Sequence, residues 1–440
     1  MVDSALRTLI ERTNPWLGKP DALPALAARY LPARPIARSV ASTLSRSLAS
    51  TSRAHLVVGP RQAGKSTAIW SILASNPGHV LHLNCEEHLI REWCRSPGLF
   101  AGDLADWLPP GGTLFLEEAQ WLDDAGLFLK GLVDARAGCR IAVTGSASFH
   151  LLARTRESLA GRATYHHVFP LSLAEVAPTA GSTVPAQHRR EAREALERHL
   201  VFGGYPEAWT AEDPRPVLDD LVTAFVLRDA SDRFHIARPD AFRLLLRLIA
   251  GQVGDLVSYS EWSRVLGIAA TTVADYVALM EETHVLRCVR PFIGGRRAEL
   301  TQAPKAYFID NGLRNAVAGG FEALDRRIDI GKLLEGWVFS ELHKRWPEPG
   351  AVRYWRTRAG AEVDFVLEPE PGRLVAVEVK ASGGRRPGIT RSLASFVEAY
   401  SPSLVMFVHR GDAHVEAMGS TEVRWIAAEL LPEALAEVAR

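Results

Sequence analysis

Cysteine is scarce in this chain of 440 residues: Cys85, Cys94, Cys139 and Cys288 are scattered, with no Cys-x-x-Cys pair. That spacing excludes a disulfide framework and a cysteine zinc site, and it suits a reducing compartment. Net charge is also lacking, because Lys plus Arg and Asp plus Glu each total 51. Overall charge therefore supplies no attraction to nucleic acid, and any such contact has to come from a local patch. No apolar run approaches the ~18 residues of a membrane-spanning helix. The opening residues Met1-Val2-Asp3-Ser4 lack the basic and then apolar stretches of a signal peptide. A cytoplasmic protein with no membrane partner is expected. The length is too great for one core, and ~3 domains is the prior.

Against these absences stands one complete motif. Gly59-Pro60-Arg61-Gln62-Ala63-Gly64-Lys65-Ser66 fits the P-loop pattern G-x-x-x-x-G-K-[ST] at every fixed position, and Thr67 follows. His55 to Val58 read as a buried strand before it, and Thr67 to Leu73 as a helix after it. The glycines let backbone N–H groups curl around phosphate oxygens, and the helix N-terminus adds positive potential. In this pattern Lys65 reaches the β- and γ-phosphates of ATP, and Ser66 ligates Mg²⁺.

From Arg53 to about Val176 apolar runs alternate with helical stretches. The candidate strands 80–84, 113–116 and 140–144 suit a parallel sheet covered on both faces. The second ends in Glu117-Glu118, an acidic pair at the carboxyl end of a buried strand. In a P-loop protein this is a Walker B arrangement: Glu117 helps hold Mg²⁺ and Glu118 polarises the attacking water. Glu117 stands where Asp is usual and is one methylene longer. The third strand runs into Thr144-Gly145-Ser146-Ala147-Ser148, which either touches the γ-phosphate or its water, or makes a turn that caps the next helix. Arg162, after Gly161, is a candidate arginine finger in cis or from a neighbouring subunit, with Arg228 behind it; a plain surface arginine is the alternative. Arg34, Arg38 and Arg46, ahead of the P-loop, read as solvated surface.

The order GPRQAGKST, LFLEEAQWL, VTGSAS, SLAGR, FPLSLAE and FGGYPE resembles a prokaryotic AAA+ ATPase family. Its members carry a C-terminal region of unknown function. The resemblance covers roughly residues 30–380. It implies phosphate and Mg²⁺ at Lys65 and Ser66, metal at Glu117, the catalytic base at Glu118, a helical lid after the core, and a ring assembly, a hexamer being favoured. For Gly203-Gly204-Tyr205-Pro206 the residues themselves give only a turn.

Residues 241–318 read as three helices and two strands around Gly294-Gly295-Arg296-Arg297, a winged-helix pattern. Its third helix carries Asp275, Glu281 and Glu282 and no Lys or Arg, which argues against reading the major groove. Its wing carries Arg287, Arg290, Arg296 and Arg297, candidates for DNA phosphates; docking of a protein partner is the alternative.

The last region holds a second set of chemical groups. Gly331 to Leu342 read as a helix containing Glu335. Glu362 to Leu367 and Leu374 to Lys380 read as paired strands, with a turn at 368–372. Strand alternation places Glu378 and Lys380 on one face, near Asp364 on the partner strand. Two carboxylates meeting across a hairpin can hold Mg²⁺, and a lysine beside them can orient or deprotonate water. This resembles a PD-(D/E)XK nuclease core, with metal on Asp364, Glu378 and Glu335, and Lys380 positioning hydroxide. The alternative is the same fold kept as a scaffold or binding module.

The expected fold is thus α/β: an N-terminal helical segment (1–46), a P-loop AAA+ core (47–177), a helical lid (178–240), a winged helix (241–318), and a mixed α/β PD-(D/E)XK-like domain (319–440). The expected function is ATP hydrolysis coupled to DNA binding, remodelling or cleavage. An ATP-driven switch that docks a protein partner is the alternative.

Overall fold

The computed structural model describes residues 4–50, 53–76, 78–146, 159–177, 185–224, 236–294, 303–381 and 387–440. Arg228, Arg296 and Arg297, and positions 147 and 148 of the third strand's end, lie outside the described residues. The chain divides into two compact units, Met1–Pro170 and Leu171–Arg440.

The first unit is built on five strands: β1 (Ala54–Gly59), β2 (Val80–Asn84), β3 (Thr113–Glu117), β4 (Arg140–Ser146) and β5 (Ala163–His167). Their order is β2-β3-β4-β1-β5, and every pairing is parallel. Continuous apolar runs are what such a sheet requires, because both faces are covered. Leu56, Val58, Leu114, Leu116, Ile141 and Val143 enter one core, and Val57, Phe115 and Ala142 enter another on the opposite face. Residues ahead of the P-loop supply both layers. The helix Ser4–Thr13 buries Leu6, Leu9 and Ile10 in the first core, and Trp16, Leu23, Ala27, Leu44 and Leu48 fill the second. Asn14, between the two, donates to the His82 carbonyl (2.9 Å) and accepts from its N–H (2.6 Å), an amide imitating a strand. The parallel register brings Gly59, Asn84, Glu117 and Ser146 to the carboxyl end of the sheet.

The second unit begins with helices, among them Pro185–Phe202, Pro239–Gly251, Tyr259–Leu266 and Ala270–Glu282. Strands β6 (Leu286–Val289) and β7 (Lys305–Phe308) then form an antiparallel pair. The helix Ile330–Arg345 leads into β8 (Val352–Arg356), β9 (Glu362–Glu370) and β10 (Arg373–Lys380), followed by β11 (Leu404–His409), β12 (His414–Met418) and β13 (Thr421–Ala427). The six strands run in the order β12-β13-β11-β10-β9-β8. β9 and β10 are an antiparallel hairpin, and β11 joins β10 in parallel. Strand β9 extends to Glu370, so the turn is tighter than the expected five residues and falls on Pro371-Gly372. One core of the unit runs from Leu200 and Phe242 to Trp337, Phe365 and Val377, and a second gathers Trp355, Val366, Phe396 and Phe407.

Gly203-Gly204 holds this unit together by close approach. Gly203 has φ +68°, and a Cβ there would lie 2.1 Å from the Asp310 carboxylate; one on Gly204 would lie 2.1 Å from the Leu171 carbonyl. Asp310 accepts from Gly204 N (2.7 Å) and from Leu313 N (3.0 Å), where it caps the helix Asn311–Ala318. Asn315 donates to the Val201 carbonyl (2.8 Å), so the end of one helix is satisfied by the start of another. The role of this turn is to let two backbones meet around a buried carboxylate.

Candidate functional site

The P-loop links β1 to the helix Lys65–Ser75, and Gly64 at its N-cap is left-handed at φ 90°. Gly59 is required by space, because a Cβ would lie 1.9 Å from the Val168 carbonyl. Lys65 is 5% exposed, and its ammonium donates to the carbonyls of Pro60 (2.8 Å) and Gly59 (3.2 Å). The charge is held at the mouth of the loop, next to a helix N-terminus that favours phosphate. Arg38 is not the solvated arginine expected from sequence. Its guanidinium donates to Ala63 O of the P-loop and to Phe169 O beyond β5, both at 2.6 Å. It clamps the loop to the edge strand's exit, a contact no local spacing announces.

Glu117 ends β3 opposite Asn84 of β2. Burial raises its pKa, but the His82 hydrogen bond and charge, the Ser66 hydroxyl and the Lys65 charge together outweigh that and hold it below the usual range. His82 Nε2 lies 2.8 Å from Glu117 Oε2. Sequence reasoning passed over His82; the available signal was strand alternation, since His82 projects from β2 on the same face as Asn84, the residue paired with Glu117. The Ser66 hydroxyl and Glu117 carboxylate meet here, a hard oxygen pair that fits Mg²⁺.

Glu118 sits at φ 53°, left-handed, which for a side chain with a Cβ costs roughly 1–2 kcal/mol. Its N–H donates to the Thr144 hydroxyl (3.1 Å), and its carboxylate accepts from the Gln120 amide. Thr144 thus braces the acidic pair from the adjoining strand end.

Arg162 lies at the other end of the sheet. It precedes β5, and its carbonyl accepts from Ala54 N at the start of β1. Five residue steps along β1 separate Ala54 from Gly59, about 16 Å of extended chain. This position does not offer the P-loop of its own chain an arginine finger. Its guanidinium is paired with Asp134 at 2.6 Å.

In the second unit the predicted carboxylates come together, with company. Asp364 Oδ2 accepts from Val379 N (2.7 Å), and Lys380 Nζ lies 2.7 Å from Glu378 Oε1. Glu378 Oε2 is buried without a partner, an orphaned acceptor of the kind a cation satisfies. Glu335 Oε1 accepts from the Tyr307 hydroxyl (2.6 Å) and lies 3.8 Å from Lys305 Nζ. Burial first, and the Asp364 charge second, push Glu335 and Glu378 up to about 7, and burial raises Asp364 as well. Among the described residues no three His, Cys, Asp or Glu side chains converge as a metal-ligand group. Glu335 Oε1 in particular is engaged by the Tyr307 hydroxyl and lies near Lys305.

Of the four basic positions, Arg287 lies on β6 and is half-buried, and Arg290 is exposed just beyond it. The acidity of the helix Ala270–Glu282 is partly committed inward: Glu281 accepts from Cys288 N at 2.8 Å.

A parallel sheet with a P-loop after β1 and an acidic pair after the strand two places away defines a P-loop ATPase core. Residues 51–177 match the profile described as an AAA domain. Residues 193–324 match a domain of unknown function (DUF8612), and residues 330–427 another (DUF4143). Uncharacterized protein Mb2031c of Mycobacterium bovis and uncharacterized protein Rv2008c of Mycobacterium tuberculosis are each 29% identical to this chain over 382 residues, 85% of it and 80% of their own length. Uncharacterized protein MJ1544 of Methanocaldococcus jannaschii is 24% identical over 60% of each chain. Among solved structures, the Walker-type ATPase PABY2304 of Pyrococcus abyssi is 15% identical, with 64% of this chain and 95% of that one covered and a TM-score of 0.41. Among the described residues no single helix is long and apolar enough to cross a membrane.

Proposed function

We propose that this protein couples ATP hydrolysis to the handling of DNA, and that the carboxylates of its second unit form a metal-dependent phosphodiester-cleaving site. The orphaned Glu378 oxygen beside Asp364 and Lys380 is the observation that carries the cleavage reading. For ATP, Lys65 leaves the Pro60 and Gly59 carbonyls for the β- and γ-phosphates, and the loop N–H groups compensate the remaining charge. Glu118 orients the water and accepts its proton, while Thr144 fixes the backbone that aims it. Mg²⁺ held by Ser66 and Glu117 would supply charge neutralisation at the phosphates. His82 fixes the Glu117 carboxylate from the neighbouring strand, as outer partners of metal ligands do. Arg162 is assigned to a neighbouring subunit's site in a ring assembly, released from Asp134 on docking.

DNA is assigned to the basic strand pair, read as the wing of a winged helix. Its acidic third helix leaves phosphates as the main target. Binding should therefore weaken steeply with salt, similarly for unrelated sequences. Replacing Arg287, Arg290, Arg296 and Arg297 with Ala, measured by fluorescence anisotropy across a salt series, should flatten the slope by up to about 4. Unchanged affinity and slope would remove the wing from DNA contact.

A second reading, a nucleotide switch docking a protein partner with an inactive nuclease fold, is favoured by one observation. Glu335 Oε1, which an ion would need, is engaged by Tyr307 and lies 3.8 Å from Lys305 Nζ.

A further inference from the structure

Lys305 opens β7 and is 2% exposed. A buried ammonium needs compensating charge, because desolvation otherwise drives off its proton. The compensation is unusually dense. Its Nζ contacts Glu362 Oε1 directly and lies 3.8 Å from Glu335 Oε1, with the Tyr354 ring at 5.3 Å on another side. Asp364 is near enough to add to the field, and burial lowers the lysine pKa less than these carboxylates raise it. The other oxygen of Glu362 is held by Arg356 at 2.8 Å. Glu335 and Glu362 are thus both committed to fixed cations of the protein.

Space argues the same way. A Cβ on Gly254 would lie 2.7 Å from Glu335 Oε1, so the Gly254 backbone leaves less than a methyl group of room on that side, and Tyr307 hydrogen-bonds the same oxygen. A hydrated divalent ion at Glu335 would have to displace these neighbours and sit a few ångströms from an ammonium. In the same cluster, Glu378 Oε2 has no hydrogen-bond partner.

We infer that Lys305 is a built-in counter-cation standing where a second divalent ion would bind, so that the cluster admits one ion, on Asp364 and Glu378, with Glu335 outside its coordination shell. This rests on the metal-site reading above and narrows it to a one-ion site. It also withdraws Glu335 from the ligand set expected from sequence and gives it to Lys305 and Tyr307.

The test counts bound Mn²⁺ by electron paramagnetic resonance on the full, nucleotide-free chain, scoring only ions lost in Asp364→Ala. Wild type should hold one, and Lys305→Gln two. Glu335→Gln with Lys305 intact should leave the wild-type Mn²⁺ affinity within about threefold, where loss of a true ligand costs 10–100-fold. Two ions in wild type, no gain in Lys305→Gln, or a tenfold loss in Glu335→Gln overturns the inference. If Lys305→Gln does not fold, Glu335→Gln decides. No ion in wild type with one gained in Lys305→Gln sustains the counter-cation role and rejects the metal-cleavage reading instead.

Discussion

Glu118→Gln is expected to bind ATP with wild-type affinity and to hydrolyse it about 10²–10⁴-fold more slowly, the usual contribution of a positioned general base. The amide keeps the shape of the side chain but cannot accept a proton from water. The parts that place it are unaffected by the change. The φ of 53° and the N–H bond to Thr144 belong to the backbone, and the P-loop and Lys65 follow a different strand, β1. Affinity for nucleotide is therefore separable from turnover. Titration with a fluorescent ATP analogue and single-turnover phosphate release measure the two. Turnover at the wild-type rate would remove Glu118 from the role of base.

On the proposed function, Asp364→Ala is expected to abolish Mn²⁺- or Mg²⁺-dependent cleavage of DNA and to leave ATP hydrolysis at the wild-type rate. The two sites share no residue, so loss at one need not disturb the other. The same substitution has a signature independent of cleavage. Glu335 and Glu378 are pushed up from 4.5 to about 7, by burial first and by Asp364 second. A carboxyl with a raised folded pKa binds more protons in the native state than in the unfolded one between those values. Stability therefore falls as pH rises from about 4.5 to about 7. Removing Asp364 removes one repelling charge, so the fall becomes shallower. Urea unfolding across that window without divalent ions measures it. Equal slopes in both proteins would mean that the carboxylates do not interact, and the cluster would lose its basis.

Much of this could be read from residues close in sequence. The strands around the P-loop, the acidic pair at the end of β3 and the hairpin carrying Asp364 and Glu378 all rest on period and local spacing. What sequence reasoning passed over has distant partners. Arg38 meets Ala63 and Phe169, 25 and 131 positions away, and so it reads as one more surface arginine. Gly204 meets Asp310 across 106 positions, so its turn has no visible purpose until that carboxylate is in place. His82 reads as an ordinary strand residue until the pairing of β2 with β3 sets it against Glu117. Lys305 shows the limit from the other side. One apolar strand pattern accounts for its position, and nothing in that pattern says that Glu335 and Glu362 arrive from a helix and from another strand. Arg162 has a suggestive neighbour in Gly161, but the topology sets it at the amino end of the sheet.

The central claim is that the P-loop hydrolyses ATP. Steady-state phosphate release by the wild-type chain and by Lys65→Ala, with and without Mg²⁺, tests it most directly. The account predicts Mg²⁺-dependent release by wild type, and none by Lys65→Ala, whose loop has lost the charge that meets the β- and γ-phosphates. Equal release by the two proteins, or none by a folded wild type that binds ATP, would contradict it.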